Sequence, residues 1–267
     1  MKHLMIILVF SICNSCAIAQ KVEIQYMANE GIKISSKDRE VFIDAFFDNE
    51  FEAFDFLSVD TLKQIINQGK ALRHSISLAT HLHGDHFNPA LTGEYLLLNP
   101  KSSFIAPQET ISNFEKRFSG FAEVTERVKP VNIELHQQVA LHLDWVKITI
   151  IRLAHMGDSP WKEAENLAYL VELQGKKVLH VGDALLDEEN LKALGVSKLN
   201  IDAVVLPLGQ MMTKDQKELI NEHIRSKQIL AAHIPIKYYD QAQSLLAELG
   251  YKNTLVLNKP LKTYLLD

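Results

Sequence analysis

The chain is poor in cysteine: its 267 residues include two, Cys13 and Cys16, and both fall within the first nineteen. Once that segment is removed, disulfides and thiolate ligands are excluded. Blocks of Lys or Arg are also missing. Against 28 basic residues stand 33 acidic ones, a formal net charge of −5, so no nucleic-acid partner is expected. Glycine (11) and proline (8) are sparse and scattered, which excludes low-complexity tracts and linkers. No short-period repeat is present. What the chain does have is 47% hydrophobic residues, enough for one substantial core.

Residues 1–19 differ from the rest. Lys2 precedes the apolar stretch LMIILVFSI, and the small-x-small sequence Ala17-Ile18-Ala19 precedes Gln20. A basic start, a short apolar middle and a small-residue end predict a secretory signal cleaved after Ala19, too short for a membrane span. The expected organisation is a signal peptide, 1–19, followed by one domain, 20–267, secreted or periplasmic and with no transmembrane anchor after cleavage. Lipidation at Cys16 is the minor alternative, because Cys13-Asn14 in front of it departs from the apolar-small-small pattern of lipid-attachment signals.

Along residues 20–267, apolar runs alternate with stretches of helical spacing. VEIQYM (22–27), EGIKIS (30–35), REVFIDAFF (39–47) and HSISLAT (74–80) read as strands, with a helix over 59–68 between the last two. Gly69 is the expected stop of that helix and Asn88-Pro89 the start of the next. SSFIAP (102–107), VNIEL (131–135), QVALHL (138–143) and VKITIIRLAH (146–155) continue as strands, with QETISNFEKRF (108–118) helical. NLAYLVEL (166–173), KKVLHVGD (176–183), IDAVVLPLG (201–209) and QILAAH (228–233) then alternate with helices near 187–194, 214–226 and 239–249. Strand runs flanked by helices predict α/β layering in a single domain.

One stretch stands apart. THLHGDHFNP (80–89) holds three of the eleven histidines, and its core H-x-H-x-D-H arises by chance in such a composition with odds on the order of one in a thousand. Imidazole is the commonest nitrogen ligand for metals. His81 and His83 are two apart, so at an extended strand end both point the same way, whereas a helix splays them by about 200°. Gly84 permits a tight turn, after which Asp85 and His86 can face a neighbouring ion. His155, Asp183 and His233 share one context: each lies just past a near-continuous apolar run, as a buried strand reads. In α/β sheets, ligands gather outside the strand ends. Four strands thus deliver His81, His83, Asp85, His86, His155, Asp183 and His233 to ends that can share one edge. His74, His136, His142 and His223 have no such company and read as surface or satisfied core residues. His180 reads as core rather than as support for a ligand.

In this order and spacing, H-x-H-x-D-H at 81–86 followed by His155, Asp183 and His233 resembles the metallo-β-lactamase-fold hydrolases. The likeness spans essentially all of 20–267, including NEG (29–31) ahead of a strand ending FIDA, whose Asp44 matches an aspartate that supports the metal loop in the family. The resemblance implies a four-layer αββα sandwich with two divalent metal ions at one edge. His81, His83 and His155 would hold the first ion, Asp85, His86 and His233 the second, with Asp183 bridging. Members that cleave β-lactams usually carry a cysteine in place of Asp183 or lack the bridge, so a β-lactam substrate is disfavoured. NLAYLVEL, VLHVGDALL and VVLPLG look most similar to the lactonase and phosphodiesterase branch that includes ascorbate-6-phosphate lactonase, although Ala184 replaces a Thr often found there.

The imidazole and carboxylate set suits Zn²⁺, with Mn²⁺ or Fe²⁺ also compatible. The expected chemistry is a metal-bridging hydroxide that attacks a carbonyl or phosphoryl ester of a small-molecule substrate, with Asp85 as the catalytic proton relay. The rival expectation is a mononuclear iron oxidoreductase similar to persulfide dioxygenases. MGDSPW (156–161), with Trp161, and PLGQMM (207–212) are candidate pocket loops. Phe46, Phe47, Phe51, Phe54 and Phe56 fit core packing at least as well as a cleft mouth.

Overall fold

The computed structural model describes residues 21–48, 52–68 and 74–266. The expected signal peptide, both cysteines, Phe51 and the helix stop at Gly69 lie outside the described residues. The first sheet begins with β1 (Val22–Ala28), β2 (Gly31–Ser36), β3 (Arg39–Ile43), β4 (His74–Leu78), β5 (Ser102–Pro107) and β6 (Val128–Val131). The second contains β7 (Gln138–Leu143), β8 (Val146–Ala154), β9 (Glu165–Leu173), β10 (Lys176–His180), β11 (Ile201–Pro207), β12 (Ser226–Ala232) and β13 (Thr254–Val256). The last strand, β14 (Thr263–Leu266), returns to the first sheet beside β1, so that each sheet has seven strands.

Burial explains why the strands read as unbroken apolar runs rather than as alternating ones. Val41 and Ile43 face a core shared by both sheets, whereas Phe42 between them packs outward under helices. Val205 likewise joins the central core while Val204 and Leu206 pack on the other side. A strand covered on both faces has no solvent side to make polar. The outer face of the first sheet is covered by α1 (Val59–Gln68), α2 (Pro89–Leu98), α3 (Gln108–Arg117) and α4 (Phe121–Val124), through Leu62, Leu91, Tyr95, Ile111, Phe114 and Val124. The second sheet is covered by α5 (Glu188–Leu194), α6 (Lys214–His223) and α7 (Tyr239–Glu248), through Leu191, Ile220, Ala242 and Leu246. These are the four layers, helix on sheet on sheet on helix, that the resemblance implied.

Strand direction gathers the site at one edge. Within the first sheet β3, β4, β5 and β6 run parallel. β1 is antiparallel to β2, which is antiparallel to β3, so β1 also points their way. In the second sheet β10, β11 and β12 are parallel, and β8 shares their direction through its antiparallel neighbour β9. The two sheets are tied at this edge, where the Leu167 N–H donates to the Thr80 carbonyl at 2.8 Å and the Tyr169 hydroxyl to the Ala79 carbonyl at 2.8 Å.

Local signals account for several boundaries. The Asn88 side chain caps α2 by accepting from the Ala90 and Leu91 N–H groups, with Pro89 in the first turn. Asp187 caps α5 at the Asn190 N–H, and Gly195 ends it with φ 64°. Two expectations fail. The strand expected at 131–135 lies earlier, at β6, where Pro130 is tolerated because β6 is an edge strand paired with β5 alone. The alternation in VNIEL instead reflects Ile133 packing against the central core from the crossing between sheets. The helix expected near 214–226 ends at His223, since Ser226 already begins β12 beside β11. Among the described residues no helix is long and apolar enough to cross a membrane.

Candidate metal centre

Seven side chains predicted from sequence meet at the common edge. His81, His83, Asp85 and His86 occupy the loop after β4, closed by N–H groups of His86 and Phe87 donating to the His83 carbonyl at 3.0 Å each. His155 follows β8, Asp183 follows β10 by three residues, and His233 follows β12. Met156 N–H donates to the Asp183 carbonyl at 2.7 Å and Leu185 N–H to the Ala154 carbonyl at 2.9 Å, which locks the His155 and Asp183 segments together. Four sets have ligand atoms within 4.8 Å of one another and can each surround a cation: His81, His83 and His155; His81, His86 and Asp183; Asp85, His86 and His233; and, apart from the seven predicted residues, Glu30, Asp44 and His180.

Hydrogen bonding turns one bare nitrogen of each inner imidazole towards the shared space. The Thr80 hydroxyl donates its only proton to the Asp44 carboxylate at 2.6 Å, so at 2.9 Å from His81 Nδ1 it accepts. Proton placement then leaves Nε2 of neutral His81 without hydrogen. His86 Nδ1 stands 2.9 Å from Asp44 Oδ2, and His155 Nδ1 is bonded to the Met156 carbonyl. The Nε2 atoms of His81, His86 and His155 and Oδ1 of Asp183 are buried with no hydrogen-bond partner. Buried polar atoms rarely stay unsatisfied, and imidazoles fixed through Nδ1 are arranged as metal ligands are.

Spacing tests the fit. Asp183 Oδ2 lies 3.6, 3.7 and 3.3 Å from Nε2 of His86, His155 and His233, and Asp85 Oδ2 lies 3.6 and 3.4 Å from Nε2 of His86 and His233. These are long for hydrogen bonds. Donors sharing one ion at bonds of about 2.0–2.1 Å stand about 3.3–3.4 Å apart around a tetrahedron, so the residues present fit divalent cations.

Titration follows from the same crowding. Burial first, then the neighbouring imidazoles, lower His81, and the same causes lower His83 to about 4. Burial also lowers His155. These three are neutral at pH 7, as ligation requires. For His86 burial opposes the charge, yet Asp85, Asp183 and Asp44 outweigh it and push the imidazole well up. His233 is raised in the same way by Asp183 and Asp85 against burial. Burial would raise Asp85 and Asp183, but His86 and His233 hold both carboxyls below the usual carboxylate range.

A cavity of 400 Å³ opens over the cluster, walled by Phe54, Met156, Trp161, Gly209 and Gln210 beside His83, His155 and His233. The Phe54 ring lies 4.2 Å from the His233 ring, tilted by 51°, and Trp161 meets His83 edge-on at 5.0 Å. Phe46 and Phe47 are instead buried in the core, Phe46 against Phe42 and Tyr95. The remaining histidines stay outside. His136 pairs with Asn190 and His223 with Glu188, while His74 and His142 are exposed. His180 is fully buried, its Nε2 donating to the Glu30 carbonyl at 2.9 Å and its Nδ1 accepting from the Gly182 N–H.

Sequence reasoning missed two supports in the turn after β1. Asn29 Nδ2 donates to Asp85 Oδ2 at 3.1 Å, and Glu30 is fully buried with neither carboxyl oxygen partnered. Burial, then Asp183, push the Glu30 carboxyl up to about 8 against the pull of His86 and His233. Short polar residues in a hairpin turn carry no sign that the turn is buried.

Imidazoles braced from behind, baring their second nitrogens to shared carboxylates between two packed sheets, define a metal-dependent α/β enzyme. The model of one protein family, the β-lactamase superfamily domain, matches residues 39–256. The chain belongs to this family, the metallo-β-lactamase-fold hydrolases. Among solved structures it is similar to Igni18, a metallo hydrolase from the archaeon Ignicoccus hospitalis, with 17% identity, 92% of this chain and 99% of that one covered, and a TM-score of 0.63. YhfI, a metallo-β-lactamase fold protein from Bacillus subtilis, shares 12% identity over 91% of this chain and 99% of its own, with a TM-score of 0.62. Zn²⁺-bound PqqB from Methylobacterium extorquens shares 12% over 88% and 86%, with a TM-score of 0.53. A search of curated proteins returned no match.

Proposed function

We propose that the chain is an exported hydrolase that uses two divalent metal ions to cleave a carbonyl or phosphoryl ester of the lactone or phosphodiester class. The observation that carries this reading is the set of buried, partnerless donor atoms converging on the Asp183 carboxylate. His81, His83 and His155 would hold the first ion and Asp85, His86 and His233 the second, with Asp183 available to both. Zinc is the default for such a nitrogen and oxygen set at tetrahedral spacing, and the zinc-bound relative on the same fold supports it. When bound, the ions supply an activated water and a Lewis acid for the substrate oxygen.

The chain's own residues do the rest. Asp44 and Thr80 orient the His81 and His86 rings in advance, and metal binding would displace the extra proton that the carboxylates hold on His86. Asn29 and His233 hold Asp85 at the cavity wall, where its carboxylate can take a proton and pass it to the leaving group. Phe54 and Trp161 shield the cluster on two sides. Export rests on the composition of residues 1–19.

The test is metal analysis of the purified protein, followed by a screen of lactones, phosphodiesters, thioesters and β-lactams with chelated and reloaded enzyme. Two zinc or manganese ions per chain and metal-restored hydrolysis are expected. One iron per chain with oxygen uptake would shift the assignment to a mononuclear oxidoreductase, and failure to take up any metal would end both readings.

A further inference from the structure

The cavity over the metal-binding cluster does not stop at His233. A second cavity of 510 Å³ continues beyond it and shares Met156, Gly209 and His233 as walls with the first. Its other walls are Leu208 and Met212 after β11, and Pro235, Tyr238, Ala242 and Leu245 around the start of α7. Gln241 adds one amide, and among the described residues no Lys, Arg, Asp or Glu lines this lobe. The nearby Lys237 ammonium lies 4.9 Å from the Tyr238 ring centroid. No Lys or Arg lines the first lobe either. Met212 and Tyr238 leave apolar surface open to solvent, at 42% and 44% exposure, directly beside a site built for charge.

We propose that this second lobe binds the apolar tail of the substrate, which is an uncharged ester or lactone of a medium-length acyl chain, with its carbonyl over the metal cluster. The inference rests on the hydrolase reading and narrows it. A compact polyanion, such as a phosphorylated sugar, finds no Lys or Arg in the walls of either lobe, whereas an acyl chain removes apolar wall from water along its length. Continuity through Met156, Gly209 and His233 places the reacting carbonyl and the tail on one path. The bond broken is the acyl C–O bond. Water is the co-reactant: its oxygen ends on the carboxylate product, one hydrogen on the leaving alcohol, and one proton passes to solvent.

Gly209 stands at the junction, and a Cβ added there meets nothing within 4 Å, so Gly209→Phe can obstruct the passage without displacing backbone. Two measurements test the proposal. The zinc-loaded protein is assayed on 4-nitrophenyl acetate, butyrate and octanoate, and the metal-free protein is titrated calorimetrically with decanamide and acetamide. Burial of each methylene is expected to raise kcat/KM up to roughly fourfold, giving at least tenfold from butyrate to octanoate. Decanamide should bind and acetamide should not. Gly209→Phe should cut the octanoate-to-butyrate ratio at least tenfold and weaken decanamide binding by a similar factor. Met212→Asp, at an exposed wall position, should act in the same direction should Gly209→Phe fail to fold.

A flat chain-length profile with no decanamide binding, while acetate is still hydrolysed with zinc, overturns the lobe and leaves the hydrolase standing. Decanamide binding that Gly209→Phe or Met212→Asp abolishes, with no ester cleaved at all, upholds the apolar site and overturns the hydrolase. A concentration-dependent dimer in sedimentation that Met212→Asp dissociates also overturns the proposal, because the apolar patch then meets a second copy of the chain.

Discussion

The two sheets supply their halves of the metal site by different means. The first contributes four candidate ligands from one six-residue loop, and polar side chains brace that loop from behind: Asp44 takes three hydrogen bonds, from Thr80 N–H, Thr80 Oγ1 and His86 Nδ1. The second contributes three candidates, one from each of three strand ends, and backbone contacts hold them: the His155–Ala184 bridge and the Met156 and Leu185 N–H bonds. His233 itself has φ 50°, a left-handed conformation uncommon for residues other than glycine. One half is preorganised by a hydrogen-bond network and the other by strand register. The difference predicts that damage to the first half is graded, whereas damage to the second is felt across the whole cluster.

The largest expected effect is at Asp183, where the halves meet. Asp183→Ala removes the carboxylate within 3.7 Å of three imidazoles, one of them from the first half. Turnover should fall by roughly a thousandfold or more, since several kcal/mol of metal-dependent stabilisation is lost at 1.4 kcal/mol per decade, and bound metal should fall below two ions per chain. Wild-type rate and metal content in this variant would remove Asp183 from the mechanism.

Asp44→Asn probes the first half alone. Asp44 has φ 48°, which asparagine tolerates, so the backbone should be kept while one acceptor oxygen becomes a donor facing Thr80 and His86. Losing such support weakens metal binding about 10–100-fold, measurable by competition with a chelator. If affinity were unchanged, the ligand loop would be held by its backbone, like the second half, and the contrast between halves would collapse.

Gly182→Ala probes the second half without touching a ligand. A Cβ there would lie 2.5 Å from Asn166 Oδ1 and 2.7 Å from the Thr80 Cβ, and φ is +61°. The segment after β10 therefore packs directly on Thr80 at the start of the first half's loop, and the overpacked, left-handed alanine should destabilise the fold by about 1–3 kcal/mol. At roughly 2–4 °C per kcal/mol for a domain of this size, Tm should drop by about 2–12 °C. A Tm within 1 °C of wild type would mean the sheets can part here at no penalty.

How much of this was legible beforehand follows the same division. The density of histidine in HLHGDH is a local signal, and His155, Asp183 and His233 stood out because each closes a doubly buried apolar strand. Asp44 was reachable only through its likeness to a family pattern. β13 and β14, of three and four residues at sheet edges, are too short to show a period. Ile133 mimicked a strand because packing on a core and pairing in a ladder leave the same alternation. Phe54 and Phe46 look alike in sequence, yet one caps His233 and the other fills the core, a distinction that only tertiary packing decides. Asn29 and Glu30 were noticed only as part of the NEG likeness, and their burial was opaque for the opposite reason: a polar hairpin turn ordinarily faces water, and this one is covered by the second sheet through His180 and His233 N–H.

Glu30 gives the gentlest way to sharpen the comparison, because it is buried in the first half yet answers to a charge in the second. Its carboxyl, ordinarily near 4.5, is raised to about 8, first by burial and then by Asp183. The folded state thus holds the proton more tightly than the unfolded chain. A raised pKa stabilises the fold fully below about pH 4.5, and this contribution is lost as pH rises towards 8. Glu30→Gln keeps the shape of the protonated acid and cannot ionise. In chelated protein, urea unfolding at pH 5, 7 and 9 should show the variant gaining stability relative to wild type as pH rises, with turnover of the metal-loaded enzyme the least changed among these four substitutions. A stability difference that stays constant from pH 5 to 9 would mean that Glu30 ionises as readily inside the fold as outside it, and that the second sheet's carboxylate exerts no hold on the first sheet's turn.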